Sequence, residues 1–215
     1  MSVALKNPLA SLEQLEVTIS RRDGISEELE EDLRHLGAEL IQSAGILLKL
    51  PQVAMATAQV LFQRFFYMAS LKEFGIVKAY TMKDMAIAAE MQILRKLGFI
   101  VHVQLPYNLM INYLRILGLE EHRAITRRAW NYLNDGLRTT IYVTHEPSTI
   151  ACAAIWLACL EESVKLPTDL GKEWWLLFDV DSVHFKNAAA HIKRLYYRKL
   201  DKANLPLYKL SNEQS

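Results

Sequence analysis

The chain has 215 residues, 51% of them hydrophobic, with 25 basic and 24 acidic side chains and a formal net charge of +1. That length and apolar content suffice for one ordinary domain or two small ones, and the near-zero charge leaves no electrostatic footprint for a nucleic-acid or membrane surface. No run of about 18 uncharged apolar residues suggests a membrane span, Met1 is not followed by an apolar segment of signal-peptide length, and only 8 Gly and 6 Pro argue for an all-α class.

Residues 1–25 read as a polar, irregular lead-in. Ser26 suits an N-cap, with Glu27 and Glu28 in the first turn where the helix dipole favours acid. Leu29, Leu33, Leu36, Leu40, Ile41 and Ala44 then form a helical stripe ending near Gly45. Pro51, suited to a first helical position, opens a helix in which Val53, Ala56 or Thr57, Val60, Leu61 and Phe65 share a wide apolar face. Small residues (Ala54, Ala56, Thr57, Ala58) fill its first half and aromatics (Phe62, Phe65, Phe66, Tyr67) its second, as in a central helix approached closely at its start. From Met68 to Tyr80 the pattern weakens to one short helix at most.

Thr81 and Asp84 form a capping pair for the next stripe, Ile87, Met91 and Leu94, flanked by Leu97. Gly98 fits the left-handed residue past that helix, with Phe99 as the following apolar contact. Ile100–Leu105 reads as an extended linker. Pro106 then opens a helix through Leu109, Tyr113, Leu114 and Leu117, stopped by Gly118. A longer helix starts at Glu120 or Glu121, with Ile125, Ala129, Leu133 and Leu137 inward and Arg123, Arg127 and Arg138 outward. Pro147 opens a helix apolar nearly all round, as a central buried helix would be. Trp174–Phe178 suggests a short helical turn, and Asp181 caps a last helix through Phe185, Ala189, Ile192 and Tyr196. Residues 200–215 read as a frayed tail. The organisation is a tandem helical repeat, 26–99 and 106–199, with the first copy short.

No catalytic constellation emerges. The six histidines are dispersed, no metal-ligand spacing appears, and no phosphate loop or nucleophile elbow is present. No cofactor, metal or small-molecule ligand is expected, nor an enzyme. Cys152 and Cys159, seven apart on one helix, are about 10 Å apart and read as unbridged buried thiols. Glu120-Glu121 and Glu161-Glu162 read as solvated pairs in preference to a general acid, and Trp174-Trp175 as a core anchor in preference to a ligand platform. Glu90 borders the apolar stripe of its helix. It is either a boundary glutamate with its head in water or a carboxylate at the rim of a hydrophobic docking surface.

The string LIQSAGILLKLPQVAMATAQVLFQRFFY (Leu40–Tyr67) resembles the first two cyclin-box helices of L-type cyclins. RRDGI, AAEMQILRKLGF, WNYLNDGLRTT and EWWLLFD resemble the same family, especially its fungal members, over about Ser20–Arg198. The resemblance implies two five-helix cyclin boxes. It also implies a non-catalytic partner of a cyclin-dependent kinase of the PITSLRE type, acting in RNA polymerase II transcription and pre-mRNA splicing in the nucleus, without direct nucleic-acid or membrane contact. It places the family's kinase-contacting glutamate at Glu90, on a surface with Ile87, Met91, Leu94, Leu71 and Phe74.

The family's kinase-contacting lysine lies in a segment like LASKLEE that has no counterpart here. The sequence passes from Ser70-Leu71-Lys72-Glu73-Phe74-Gly75-Ile76 almost directly to Lys78 and Tyr80, as if most of a third helix and all of a fourth, roughly 50 to 60 residues with loops, were absent. Losing the hub helix would uncover several hundred Å² of apolar surface, on the order of 10 kcal/mol and comparable to a domain's whole stability. The gap leaves a second role open: a helical interaction module that binds through the second box without activating a kinase.

Overall fold

The computed structural model describes residues 6–74, 83–167 and 173–198, with the backbone alone for 83–89. The capping pair Thr81/Asp84, the side chain of Ile87 and the tail 200–215 lie outside the described residues. Among those described, every regular element is helical. Residues through Val103 form one compact unit and Gln104–Arg198 a second.

The first unit holds α1 (Leu12–Glu16), α2 (Ile19–Arg22), α3 (Glu27–Leu47), α4 (Gln52–Met68) and α5 (Lys83–Lys96). The lead-in, expected to be irregular, instead carries α1 and α2. Each is too short for apolar periodicity and is started by caps: Ser11 and Gln14 exchange side-chain-to-backbone bonds in a capping box, and Thr18 accepts from the Arg21 N–H. Ser26 caps α3 as expected, accepting from the Leu29 N–H.

The face by which α3 packs differs from the expected leucine stripe. Glu30, Arg34, Gly37, Ala38 and Gly45 are buried, whereas Leu29, Leu33 and Leu36 are half-covered and Leu40 is exposed. The reason is close approach to α4. A Cβ at Gly37 would stand 2.1 Å from Phe62 Cζ, and one at Gly45 2.3 Å from Met55 Cγ. Two glycines therefore set the contact line, and the leucines fall on its flanks. Pro51 is the N-cap of α4, one position before the first helical turn, and Val53 of the expected stripe is exposed.

At the C-terminal end of α4, Phe65, Phe66, Ala69 and Leu71 pack with Leu97 in a small cluster edged by Ile25, Leu33, Leu61, Phe62 and Phe74. Phe65 meets Phe66 and Phe74 edge to face, with centroids 5.0 and 5.3 Å apart. Helix α5 ends as expected at Gly98 (φ 57°), with the Phe99 N–H donating to Leu94 O at 2.8 Å. Phe99 itself is largely exposed. Residues 100–105 run without regular structure.

The second unit holds α6 (Tyr107–Ile116), α7 (Arg123–Gly136), α8 (Ile141–Thr144), α9 (Pro147–Glu161), a 3-10 helix (Trp174–Phe178) and α10 (Ser182–Tyr197). Helix α9 is the centre, with Ala151–Ile155 wholly buried beneath α6, α7 and α10. The inward face expected for α7 is the observed one, and Asp181 caps α10 by accepting from the Val183 N–H. Trp174 is a core anchor. The short α8 was not anticipated; it seats Tyr142, whose hydroxyl donates to Leu133 O. Cys152 and Cys159 are free and buried, and burial pushes their thiols up to about 12 and about 11. Among the described residues, all twelve of the largest fully buried side chains, from Trp174 to Leu157, belong to this second unit.

Candidate functional site

The expected docking residues lie around the end of α5 and the turn after α4. Leu97, Leu94 and Glu90 share one stripe of α5 at helical spacing. Leu97 is buried in the Phe65 cluster, Leu94 is half-buried, and Glu90 and Met91 are exposed. The stripe thus rises out of the core and ends in a solvent-facing carboxylate beside an exposed thioether. Phe74 sits at the margin of the same cluster, with Lys96 Nζ 5.8 Å from its ring centroid. Leu71 is 4% exposed, so it holds the turn in place from within and presents almost no surface.

The turn is anchored from the N-terminal segment. Ser20 Oγ, on a wholly buried residue, accepts from the Leu71 N–H at 3.0 Å, Lys72 Nζ donates to Asp23 O, and Gln14 Nε2 donates to Tyr67 O. Beneath these contacts lies an ionic knot that the sequence reading missed. The carboxylate of Glu30, 1% exposed, accepts from Thr18 Oγ1 (2.7 Å), Arg21 Nε (3.0 Å), and Arg34 Nε and Nη2 (3.1 and 2.8 Å). Arg34 in turn donates to Gln63 O, Gln63 Oε1 and Phe66 O, and its guanidinium lies 4.6 Å from the Tyr67 ring centroid. Four donors on the acid and five hydrogen bonds from the base, to four acceptor atoms, make this the kind of buried pair that holds a geometry. Its only signal in the sequence is a Glu and an Arg four apart inside an apolar stripe.

In the second unit, Glu161 and Glu162 are not simply solvated. Arg128 donates to both, Tyr132 donates its hydroxyl to Glu161, and Lys193 Nζ lies 3.6 Å from Glu161. Across the same cavity, of about 480 Å³, Tyr196 donates to Asp135, which also pairs with Arg138. The Tyr132 hydroxyl, then Arg128 and Lys193, hold Glu161 below the usual carboxylate range. These contacts tie α7, α9 and α10 together, and the cluster reads as a structural brace. Glu120 and Glu121 are exposed in a turn. No group of three His, Cys, Asp or Glu suited to a metal occurs among the described residues.

No protein-family model matches the sequence. Zebrafish (Danio rerio) cyclin-L1 is 37% identical over 241 aligned positions, covering 91% of this chain and 48% of that protein. Human cyclin-L1 is 37% identical over 93% of this chain and 46% of its own length, and human cyclin-L2 34% over 92% and 46%. The chain thus spans about half the length of the curated relatives it matches. Because 91% of 215 residues is about 196, some 45 of the 241 aligned positions fall opposite no residue of this chain. Among solved structures, a chain of the yeast RNA polymerase II CTD kinase CTDK-1 complex matches with a TM-score of 0.70 over 92% of this chain and 75% of its own length, at 17% identity. A chain of the CAK complex from Chaetomium thermophilum bound to ATP-γ-S matches at 0.52 over 85% and 68%, at 20% identity. These two likenesses share the fold; the identity to cyclin-L1 and cyclin-L2 over more than nine-tenths of the chain makes it a homologue of the L-type cyclins.

Proposed function

We propose that the chain is a non-catalytic regulatory subunit of a cyclin-dependent kinase, of the PITSLRE type, acting in RNA polymerase II transcription and pre-mRNA splicing in the nucleus. The observation that carries this reading is the alignment with cyclin-L1 and cyclin-L2 over 91–93% of this chain, which takes in both compact units. The docking surface would be the emergent stripe of α5. Glu90 would supply a carboxylate to the kinase, Ile87, Met91 and Leu94 an apolar bed, and Phe74 and Leu71 its support. A partner so placed would steer the kinase's mobile helix until its Lys–Glu pair and activation segment are competent.

The test is to co-express the chain with a PITSLRE-type kinase and measure co-purification and phosphorylation of a polymerase tail peptide. Glu90→Ala should weaken binding by ~2 kcal/mol, the scale of a charge-assisted contact. Absence of both binding and stimulation would overturn the reading.

A second reading is favoured by the uneven packing of the two units. We infer that a segment is missing after α4. Three observations support this: the abrupt passage from Ile76 to Lys78 in the sequence, the roughly 45 unmatched alignment positions, and the concentration of the largest fully buried side chains in the second unit. Such a chain would bind partners through the second unit without activating a kinase. In that case Glu90→Ala leaves binding unchanged and no rate enhancement is seen.

A further inference from the structure

The outer side of α7 carries a stripe that the packing of the second unit does not use. Arg123, Arg127, Trp130 and Asn134 follow one another at helical spacing and lie in line along the helix. Ile125, Ala129, Tyr132 and Leu133, on the other side, are buried. Nearby arginines have acids of their own: Arg128 donates to Glu161 and Glu162, and Arg138 pairs with Asp135. Arg123 and Arg127 do not. Both are exposed, and neither side chain has an ion pair or hydrogen bond among the described residues. Glu120 and Glu121, exposed in the turn before the helix, pair with neither of them.

The same stripe continues into an aromatic platform. Trp130 is 38% exposed, and its ring packs on Tyr107 of α6 with centroids 4.7 Å apart. Tyr107 is 8% exposed, and its hydroxyl donates to Asn134 Oδ1 at 2.8 Å, so the indole is supported from beneath before any ligand arrives. Two guanidiniums one helical turn apart, without counter-charges, match a phosphate group, whose oxygens accept charge-assisted bonds from both. The rise from Arg127 to Trp130 is about 4.5 Å, and an extended proline-rich chain advances about 3 Å per residue. A residue adjacent to the phosphate therefore falls on the indole, and proline in such a chain docks on exposed aromatic side chains. A nucleic acid also combines phosphate with stacking, but it draws on a longer basic track, and the net charge of this chain is only +1.

We propose that the Arg123–Arg127–Trp130 stripe of α7 is a docking site for a protein segment in which a phosphoserine or phosphothreonine is followed by proline. Arg123 and Arg127 hold the phosphate, and Trp130, backed by Tyr107, takes the proline ring. The site lies wholly within the second unit and needs no kinase. It goes beyond the regulatory role proposed above by giving the chain a means of holding a partner that already carries a phosphate.

The test uses the full chain without a kinase and a fluorescein-labelled synthetic peptide with one phosphoserine–proline step, followed by fluorescence anisotropy. The phosphopeptide is expected to bind at least about tenfold more tightly than its unphosphorylated counterpart, and to weaken as salt is added. Arg123→Gln and Arg127→Gln, at exposed positions, are each expected to weaken it about tenfold while the thermal midpoint of the chain stays in place. Trp130→Leu keeps an apolar contact with Tyr107; it should weaken the phosphoserine–proline peptide and leave a phosphoserine–alanine peptide unchanged. In the isotope-labelled chain, the indole N–H resonance that Trp130→Leu removes should shift when the phosphopeptide is added. The site is overturned if phosphorylated and unphosphorylated peptides bind equally, or if the double variant Arg123→Gln/Arg127→Gln binds the phosphopeptide as the parent does. The role given to proline is overturned if Trp130→Leu binds the phosphoserine–proline peptide undiminished. Tighter binding of a single-stranded oligouridylate, lost in the same double variant, would overturn the peptide and assign the stripe to RNA.

Discussion

Glu30 and Arg34, one turn apart on α3, meet at 2.8 Å with side chains 2% and 4% exposed. Removing one partner of a buried pair strands the other, at a cost of ~3–5 kcal/mol. Glu30→Ala would strand Arg34 and leave Arg21 without its inner acceptor. It is expected to unfold the first unit at temperatures where the second remains folded, seen as loss of ellipticity in a separate early transition. The double variant Glu30→Met/Arg34→Met should recover most of that loss, since it leaves no unpaired charge.

Gly37 faces Phe62 so closely that a methyl group cannot be accommodated without moving the ring. Gly37→Ala should cost ~1–3 kcal/mol by overpacking, read from urea unfolding of the first unit. Combining it with Phe62→Leu should return part of the loss. A simple sum of the two single costs would show that the two residues do not meet.

His145 donates to or accepts from Thr144 Oγ1 at 2.8 Å and lies beside His191, with ring centroids 6.2 Å apart. Burial first, then the nearby His191 and His184, lowers its pKa to about 4. The folded state therefore resists a proton that the unfolded chain takes up near pH 6.5. Stability of the second unit should be flat above that pH, fall as the pH drops from about 6.5 to about 4, and level off below, by up to ~3 kcal/mol. His145→Gln should flatten much of that slope, leaving the part due to His191, whose pKa burial also lowers.

Cys152 and Cys159, on the central helix α9, are buried with raised thiol pKa values. Neither should react with iodoacetamide in the folded protein at neutral pH, because the thiolate is both scarce and inaccessible. Their alkylation should track unfolding of the second unit alone, and remain absent in Glu30→Ala at temperatures where only the first unit has melted.

Where burial follows one clean helical period, the sequence reads out directly. Ile125, Ala129, Leu133 and Leu137 face inward as spaced, Pro147 starts the buried α9, and Gly98 and Gly118 adopt positive φ past their helices. Where two glycines and an ion pair set the contact, as along α3, hydrophobic periodicity points to the wrong face, because it cannot register that Glu30 and Arg34 satisfy each other. The lead-in was misread for a related reason: α1 and α2 are made by caps, and the Ser11–Gln14 box was a legible sign. Of the proposed docking residues, Met91 belongs to the stripe expected from spacing yet is exposed with Glu90, while Leu94 is half-buried; the burial of Leu71 goes with a hydrogen bond to Ser20, 51 residues away, a pairing no local pattern carries.

The most direct test of the proposed missing segment, whose absence would leave the first unit less completely packed than the second, is native-state hydrogen exchange on the isolated chain. Amides of α9 (Pro147–Glu161) should exchange only through global unfolding, while those of α5 (Lys83–Lys96) exchange orders of magnitude faster through local opening. Equal, strong protection of α5 and α9 would contradict the account.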